Sequence, residues 1–390
     1  MNVSFVLPSL GINGGVRVVL EYGNRLENRG HNVTILSSVV PRYPYKEIKS
    51  RGLLQSFKKF LSARDISAGD IWEIKPDLVT LPYLSPKSLK LYEHRIPDGD
   101  VIIATEWRTV EPIAKLNDSK GEKWQFFQHY EADIWEDPDL WNQAIEQSAR
   151  TNERPDVQMI DIASKQSSNR RLVDRSLSID MKRFTISEYS KRVLENFGIE
   201  PEGVISNGID HNVFYKDEEP DFTKILAPYR DAMAKGTDDA IEAFKIVRKN
   251  HPSIEFSMFG PTDADLPDWI EYHSSISDDE LRNLYSSHGI FLFPSWMEGF
   301  GLPVAEAMAC ESAVVSTEVG GIPDFTTDGY DILFTERMNS TMMANNISHL
   351  IENETIAKQL AKRGKNTATD LQWEESIDKF ENIVLRSDKY

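Results

Sequence analysis

Short apolar runs alternate with amphipathic stretches along the amino-terminal half of the chain. The run VSFVLP is broken by GINGG, and the following VRVVLEYGNRLENRG carries apolar residues at helical spacing up to Gly30. NVTILSS is the next strand-like run, so the pattern predicts a βαβ unit and, with it, a parallel sheet covered by helices on both faces. Further strands are predicted at DLVTL, DVIIAT, KWQFFQ and RFTIS.

A second α/β half is predicted after VISNGIDHNVF. KILAPYR, IEFSMFG, GIFLFPS and SAVVST are strand-like, each followed by a helix-like stretch, and WEESIDKFENIVLRS is typical of a closing amphipathic helix. Two doubly wound sheets side by side would leave a cleft at the carboxyl ends of their strands, where ligands bind in such sheets.

The chain length also favours two domains. At 390 residues it exceeds the size at which a single hydrophobic core keeps growing. We predict an amino-terminal domain over 1–212, in which the polar, poorly patterned segment 131–178 is an insertion. The second domain is predicted over 213–372, and 373–390 is expected to form a helix that packs back toward the first domain.

Composition narrows the class of partner and the compartment. The net charge of −18 argues against nucleic acid, which is bound through clustered Lys and Arg. The single cysteine, Cys310, rules out an internal disulfide and suits a reducing compartment. No apolar run approaches the roughly 20 residues that span a bilayer, and MNVSFVLPSL lacks the basic region of a signal peptide. We therefore expect a cytoplasmic protein.

Candidate chemistry is concentrated in PSWMEGFGLPVAEAMAC, residues 294–310. A buried strand ends at Pro294, a glycine-rich turn carries Glu298, and Pro303 is suited to the first position of a helix that contains Glu306. Free amides at that helix start would form an anion site, which we assign to Gly301, Leu302 and Val304. Carboxylates accept hydrogen bonds from paired hydroxyls, so the segment predicts a ligand with hydroxyl groups on both sides of a phosphate. Taken alone, Glu298 would be typical of an ordinary turn residue and Glu306 of a solvated helix residue.

A cationic loop is predicted upstream of that segment. YRDAMAKGTDDAIEAF follows the strand KILAP and places Arg230 and Lys235 before a helix. Fixed cations stabilise the charge that develops on a departing diphosphate, typically by about 3–4 kcal/mol per group. Because any loop can carry Arg and Lys by chance, this pair indicates a phosphate site only in combination with the two glutamates.

These motifs resemble the retaining family 4 glycosyltransferases (glycosyl transferases group 1). EGFGLPVAE resembles their E-x7-E motif, YRDAMAKG their phosphate-binding R-x4-K segment, and ISNGIDHNVF and VGGIPDF are similar to two further stretches. The resemblance covers nearly all of 185–390, and it implies the GT-B fold, in which two Rossmann-like doubly wound α/β domains face each other across a cleft.

The resemblance also implies roles for individual residues. Glu298 would contact the donor hexose, Glu306 the ribose diol, and Arg230 and Lys235 the diphosphate. The backbone around Gly299, Phe300, Gly301 and Leu302 would support sugar and phosphate. The chain departs from the family at two positions. Asp324 replaces the usual Glu, so the side chain near the nucleotide is shorter. Glu311 replaces a common glycine.

In the first half the resemblance rests on LGINGGVRVV and FFQHY. Gly14 and Gly15 would let the backbone approach the donor phosphate and the acceptor closely, although a GG pair after a strand is also an ordinary turn. His129 would lie near the reacting carbon and position donor or acceptor. In this family a donor phosphate oxygen takes the acceptor proton, so no protein base is required. A packed or capping histidine is the alternative.

We expect neither a metal nor a cofactor other than the donor substrate. The D-x-D sequences at 98–100, 137–139 and 263–265 lie among turn-forming residues, where Asp is common for conformational reasons. Arg230 and Lys235 supply the diphosphate charge. The segment 45–64 carries six Lys and Arg with one helical face of Leu and Phe. Such a helix can contact an anionic membrane on the cytoplasmic face, or it can be an ordinary packed helix with a basic surface.

The function expected from the resemblance is retaining transfer of a hexose from a nucleotide-diphosphate sugar to a glycan acceptor. We expect the pathway to assemble a cell-surface or protein-linked glycan on a lipid carrier. Two alternatives stay open: a GT-B-fold sugar-nucleotide epimerase, and a catalytically inactive sugar-nucleotide-binding partner subunit.

Overall fold

Two parallel β-sheets form the framework of the chain. The computed structural model describes residues 1–11, 13–38, 73–81, 92–131, 138–151, 154–155, 158–159 and 170–385. The described strands of the first sheet are β1 (Asn2–Leu7), β2 (Asn32–Ser38), β3 (Asp77–Leu81), β4 (Val101–Ala104), β5 (Glu122–Phe127), β6 (Lys182–Thr185) and β7 (Gly203–Val204). Their spatial order is β3-β2-β1-β4-β5-β6-β7, so the direction in which successive strands are added to the sheet reverses between β1 and β4. A reversal of this kind leaves a crevice at the carboxyl ends of the two strands.

The second sheet repeats the same design. Its described strands are β8 (Asp221–Pro228), β9 (Glu255–Gly260), β10 (Ile270–Ser274), β11 (His288–Phe293), β12 (Ala313–Thr317) and β13 (Leu333–Thr335). The order is β10-β9-β8-β11-β12-β13, with parallel pairing throughout and a reversal between β8 and β11. The prediction of two doubly wound parallel sheets is confirmed.

Helices connect the strands and cover both sheets. In the first half they are α1 (Gly14–Asn28), α2 (Trp107–Ala114), α3 (Pro138–Thr151), α4 (Arg170–Leu177) and α5 (Glu188–Asn196). In the second half they are α6 (Thr237–Asn250), α7 (Asp278–Ser287), α8 (Leu302–Ala309), α9 (Ile322–Phe325), α10 (Ser340–Glu352), α11 (Glu354–Thr369) and α12 (Trp373–Phe380). Helices α3 and α4 lie within 131–178, and Trp141 of α3 packs edge-on against Trp296 of the second half.

Helix α1 illustrates how local sequence sets the boundaries of an element. The Asn13 side chain accepts a hydrogen bond of 2.9 Å from the Val16 amide and so caps the start of the helix. Val19 and Leu26 lie on its buried face, and Gly30 takes the left-handed backbone (φ +85) that ends many helices. The cap places the first turn of α1 directly after β1, at the carboxyl edge of the first sheet.

The last helix, α12, packs against the first sheet. Its Phe380 ring is fully buried and lies 6.1 Å from Phe5 and 5.2 Å from Tyr22, centroid to centroid. At the surface, Arg29, the residue after α1, forms ion pairs with the carboxylates of Glu374 and Glu381 at 2.7 and 2.9 Å. Aromatic packing and charge pairing together hold α12 against α1.

Two local predictions are wrong. IEFSMFG is followed by β10 rather than by a helix, because IEYHS pairs with β9 at the edge of the sheet with little of it buried. Helix α8 begins at Leu302, so Pro303 occupies its second position and not its first. The domain bounds 1–212, 213–372 and 373–390 remain predictions, as does the description of 131–178 as an insertion.

Replacing Phe380 with Ala should destabilise the protein because it removes a ring that contacts three others in a closed core. We expect a loss of about 3–5 kcal/mol in the free energy of unfolding, measured by urea denaturation. The matched control is Leu172→Ala, because Leu172 is 50% exposed and its truncation should cost less than about 0.5 kcal/mol. Equal losses for the two variants would contradict the packing of α12 described above.

Candidate active site

A cleft of about 800 Å³ separates the two sheets and is lined by both. From the first sheet it receives the residues that follow β1, β4 and β5, and from the second those that follow β8, β9 and β11. These are the carboxyl ends of strands next to the two order reversals, where the fold is expected to bind ligands. Apart from Val304, the residues predicted to form the site line this cleft: Gly14, Gly15, His129, Arg230, Lys235, Glu298, Gly299, Phe300, Gly301, Leu302 and Glu306.

The loop after β8 holds Arg230 and Lys235 in a fixed form. The Thr237 hydroxyl accepts a hydrogen bond from the Arg230 amide (3.1 Å) and donates one to the Arg230 carbonyl (2.9 Å), which closes the loop. Gly236 has φ +66, and a Cβ there would collide with the Pro294 carbonyl. Because Gly236 has no side chain, this loop can pack against the end of β11, next to the turn that carries Glu298.

Lys235 and Glu298 form an ion pair at the floor of the cleft. The Lys235 ammonium lies 2.8 Å from Glu298 Oε1, and the Ser295 hydroxyl donates to the same oxygen at 2.8 Å. The two side chains are 36% and 17% exposed, so both reach the cleft. Arg230 stands nearby, and burial lowers the pKa of its guanidinium, which stays charged.

The glycine-rich turn between Glu298 and α8 fits between the two domains. A Cβ at Gly299 would collide with the Gln128 carbonyl of the first domain, and a Cβ at Gly320 would collide with the Glu298 carbonyl. Gly301 caps α8 with φ +100. One assignment at this helix start is wrong: the Val304 amide donates to the Gly301 carbonyl at 3.0 Å and is not available to an anion.

Glu306 lies one turn inside α8 and is 4% exposed. Its Oε1 accepts a hydrogen bond from Arg17 Nη1 at 3.1 Å, and its Oε2 lies 3.4 Å from the Tyr285 hydroxyl. Burial raises the pKa of Glu306 and the positive charge of Arg17 opposes that shift. Arg17 belongs to α1 of the first domain, so this carboxylate is held from both sides of the cleft.

Sequence reasoning missed Arg17, Asp278 and Tyr285. All three line the cleft beside Glu306, and Arg17 Nη2 makes a second ion pair with Asp278 at 3.0 Å. One signal was present: the sequence VRVV places a charged residue among the buried valines of α1, where a charge requires a partner. The identity of that partner could not be read from the sequence.

In the first domain, the glycine loop and the end of β5 face the cleft. A Cβ at Gly14 would meet no atom within 4 Å, and one at Gly15 would lie 3.3 Å from the Gln128 side chain. The His129 side chain is 38% exposed, and its Nε2 lies 4.0 Å from Glu131 Oε1. The positions suit contact with a ligand; the roles assigned to these residues remain predictions.

A second group of cleft residues was also missed. Glu106, Trp107 and Arg108 follow β4 at the rim of the first domain. Arg108 pairs with Glu106 and lies 4.4 Å from the Trp107 ring centre. The sequence ATEWRTV gave no sign of this group, because its members become cleft residues only through the strand order β1-β4-β5.

The two departures from the family pattern acquire structural explanations. Asp324 Oδ2 accepts a hydrogen bond of 2.8 Å from the Glu188 amide at the start of α5, so it joins the two domains. The shortened reach near the nucleotide remains a prediction. Glu311 has φ +69, a conformation that favours glycine. Its carboxylate pairs with Lys365 at 2.9 Å and Lys216 at 3.4 Å, which compensates the backbone.

The Asp-containing turn at 98–100 has structural partners. Asp98 pairs with Lys120 at 2.7 Å, and Asp100 accepts from the Asn2 amide at 2.8 Å. Asp137 and the whole of 45–64 lie outside the described residues. Among the residues that the structure describes, no group of three or more His, Cys, Asp or Glu could hold a metal ion, and no helix is long and apolar enough to cross a membrane. Metal independence remains a prediction.

Comparison with known sequences agrees with the motifs of the second half. The family model described as "Glycosyl transferases group 1" matches residues 214–367, which confirms the resemblance for that part of the chain. An uncharacterized glycosyltransferase of Methanocaldococcus jannaschii is 29% identical over 49% of this chain and 56% of its own length. The O-antigen chain mannosyltransferase B of Escherichia coli is 30% identical over 27% of each chain. The chain thus matches about half or less of the length of these curated relatives.

Comparison with solved structures extends over nearly the whole chain. Sucrose-phosphate synthase from Thermosynechococcus elongatus superposes with a TM-score of 0.70 and 16% identity, covering 99% of this chain and 98% of that one. The Anabaena protein HepE in complex with UDP-glucose gives 0.69 and 15% identity, covering 98% of both chains. At such identity the likeness establishes the fold, and the predicted GT-B arrangement is confirmed.

Gly236→Ala should disturb the cationic loop, because an added Cβ would collide with the Pro294 carbonyl and displace Lys235. We expect the affinity for inorganic pyrophosphate, measured by calorimetry, to fall by about tenfold or more, as on loss of one charge-assisted hydrogen bond. Gly329→Ala is the matched control. Gly329 has φ +69 and open space around it, so it carries the same backbone strain of about 1–2 kcal/mol without the collision. Equal pyrophosphate affinity in the two variants would remove Gly236 from the site.

Proposed function

We propose that this chain, whose residues 214–367 match the glycosyl transferases group 1, transfers a hexose from a nucleotide-diphosphate sugar to a glycan acceptor with retention. The main observation behind this proposal is the ion pair of Lys235 and Glu298, whose charged atoms lie 2.8 Å apart. The pair lies beside Arg230 and the start of α8, in the cleft between the two domains. A cation for diphosphate and a carboxylate for hydroxyl groups thus stand next to each other. That combination suits a sugar attached to a diphosphate.

The donor would lie with its diphosphate against the cationic loop. Arg230 and Lys235 stabilise the charge that the leaving group gains as the glycosidic bond breaks. Glu298 accepts hydrogen bonds from the hexose hydroxyls, and Glu306 accepts them from the ribose diol. The HepE complex with UDP-glucose supports a nucleotide-sugar donor for this fold.

The reaction needs no protein base in this proposal. The departing phosphate oxygen takes the acceptor proton on the same face of the sugar, so retention follows without a covalent intermediate. His129 then orients the reacting groups from the first domain. No metal is required, because Arg230 and Lys235 supply the charge next to the diphosphate.

The acceptor would enter from the first domain. We infer a glycan acceptor, attached to a lipid carrier, in the assembly of a cell-surface or protein-linked glycan at the cytoplasmic face of a membrane. Support comes from the basic amphipathic sequence of 45–64 and from the name of the mannosyltransferase relative, which acts on the O-antigen chain.

The experiment that tests the proposal begins with a thermal-shift panel of nucleotide sugars, because a ligand at 100 times its dissociation constant stabilises by about 2.7 kcal/mol. The donor found is then incubated with and without a glycolipid extract. Release of nucleoside diphosphate only with the extract supports transfer. Conversion of the donor sugar without any acceptor would instead identify an epimerase, and binding with no turnover would identify an inactive partner subunit.

Glu306→Ala should weaken binding of the nucleoside diphosphate itself, because the ribose loses a charged acceptor. We expect a loss of about tenfold or more in affinity, measured by calorimetry. Glu311→Ala is the control, since Glu311 follows the same helix but pairs with Lys216 and Lys365 outside the cleft. Glu306→Gln keeps the shape of the side chain and serves if the alanine variant unfolds. Unchanged affinity in both Glu306 variants would contradict the ribose assignment.

Lys235→Ala should reduce turnover by about a hundredfold to a thousandfold, because a fixed cation at the leaving group is typically worth 3–4 kcal/mol. Nucleoside diphosphate release from the donor measures the effect. The control is Lys245→Ala on the following helix, where the ammonium pairs with Glu242 and is 54% exposed. Full activity of Lys235→Ala would exclude this residue from the diphosphate site.

A further inference from the structure

Arg17 crosses the cleft from the first domain to the second. It projects from the first turns of α1, and its guanidinium binds Glu306 at 3.1 Å through Nη1 and Asp278 at 3.0 Å through Nη2. These two acids lie on different helices, α8 and α7. A planar guanidinium offers two donor edges in a rigid fork, so it bridges the two acids and fixes their relative orientation.

The surroundings of Arg17 form a built site and not a surface contact. The side chains of Arg17 and Glu306 are 13% and 6% exposed. The guanidinium carbon lies 5.1 Å from the centre of the Phe214 ring, which in turn packs edge-on against Tyr285 at 6.2 Å. Phe214 belongs to the segment that joins the two sheets, so Arg17 is wedged between that segment and the cleft.

The charge balance of this group depends on Arg17. Glu306 faces Arg17 and Arg230 as cations and Asp278 as a further anion, with the Tyr285 hydroxyl as a neutral neighbour. Burial raises the pKa of Glu306, and Asp278 raises it further, whereas Arg17 lowers it. Without Arg17, the buried Glu306 and the partly exposed Asp278 would lose the cation that binds both, and a buried carboxylate without a partner tends to take up a proton.

Arg17 leaves part of Glu306 available to a ligand. It contacts Oε1 only, and the Tyr285 hydroxyl lies at a long 3.4 Å from Oε2. An ionised carboxylate has about four acceptor sites, so a diol can bind while Arg17 stays in place. Both Arg17 and Glu306 line the cleft, so a ligand in the cleft would lie next to this carboxylate.

We propose that Arg17 is a positioning residue for the nucleotide: from the opposite domain it holds Glu306 as an ionised, oriented acceptor for the ribose diol. The ribose site is therefore complete only when the two domains are closed on each other. This inference rests on the proposed function and adds to it a link between nucleotide binding and domain closure. If Arg17 instead blocked the place of the ribose, its replacement would strengthen nucleotide binding.

The test compares nucleoside diphosphate binding in the full chain by calorimetry, using whichever of UDP, GDP, ADP, CDP and dTDP stabilises the wild type most. Arg17→Met keeps the length of the apolar stem but removes the charge, and we expect it to weaken binding by roughly tenfold to a hundredfold. Arg17→Lys should recover part of the loss because it restores the charge without the fork. Arg25→Met is the matched control: Arg25 lies on the same helix and pairs with Asp210 at 3.2 Å, away from Glu306.

A double-mutant cycle separates positioning from simple stabilisation. If Arg17 acts through Glu306, then Arg17→Met should weaken binding by less than about threefold in a Glu306→Gln background. The double variant buries no unpaired charge at these two positions, so it serves if the single variant fails to fold. Equal or tighter binding by Arg17→Met, or an undiminished loss in the Glu306→Gln background, would overturn the inference. A wild-type chain that binds none of the five nucleotides would instead refute the proposed function.

Discussion

A carboxylate taken out of water must be accompanied by a cation or hydrogen-bond donors, and the cleft depends on this constraint twice. Glu298 meets it within its own domain, through Lys235 and Ser295 at 2.8 Å each. Glu306 meets it across the domains, through Arg17. Effective penalties for unpaired buried ions amount to about several kcal/mol, so the buried Glu306 depends on its cationic partner to stay charged. The first pair shapes one wall of the cleft, and the second makes the relative position of the two domains part of the site.

Close backbone approach is the second constraint, and glycine satisfies it. Gly299 lies against the Gln128 carbonyl, and Gly321 donates its amide to the Gly299 carbonyl at 3.1 Å. Asp324 caps α5 from the same segment. The turn that carries Glu298 is therefore fixed from both domains, and a side chain in place of these glycines would widen the cleft. A turn held in this way keeps its carboxylate in one orientation.

Some features were recoverable from short segments because their causes are local. Thus Asn13 and Gly30 bound α1, and the apolar runs mark most strands. Strand β10 was not predicted because an edge strand that is mostly exposed has only a weak hydrophobic pattern. The contact of Asp324 was not predicted for another reason. Its partner, the Glu188 amide, lies 136 positions away in the chain, so no local pattern indicated that Asp324 accepts a hydrogen bond at the start of α5.

The sequence by itself determined the two α/β halves, the cationic loop with Arg230 and Lys235, and the spacing of Glu298 and Glu306, since each depends on residues close together in the chain. Only the tertiary structure decided which charges meet. Arg17 and Glu306 are 289 positions apart, and Asp278 lies on a third segment. The physical reason is that sequence periodicity shows which face of an element is buried. The partner of a buried charge depends instead on how the two domains close on each other. No local sequence pattern records the identity of that partner.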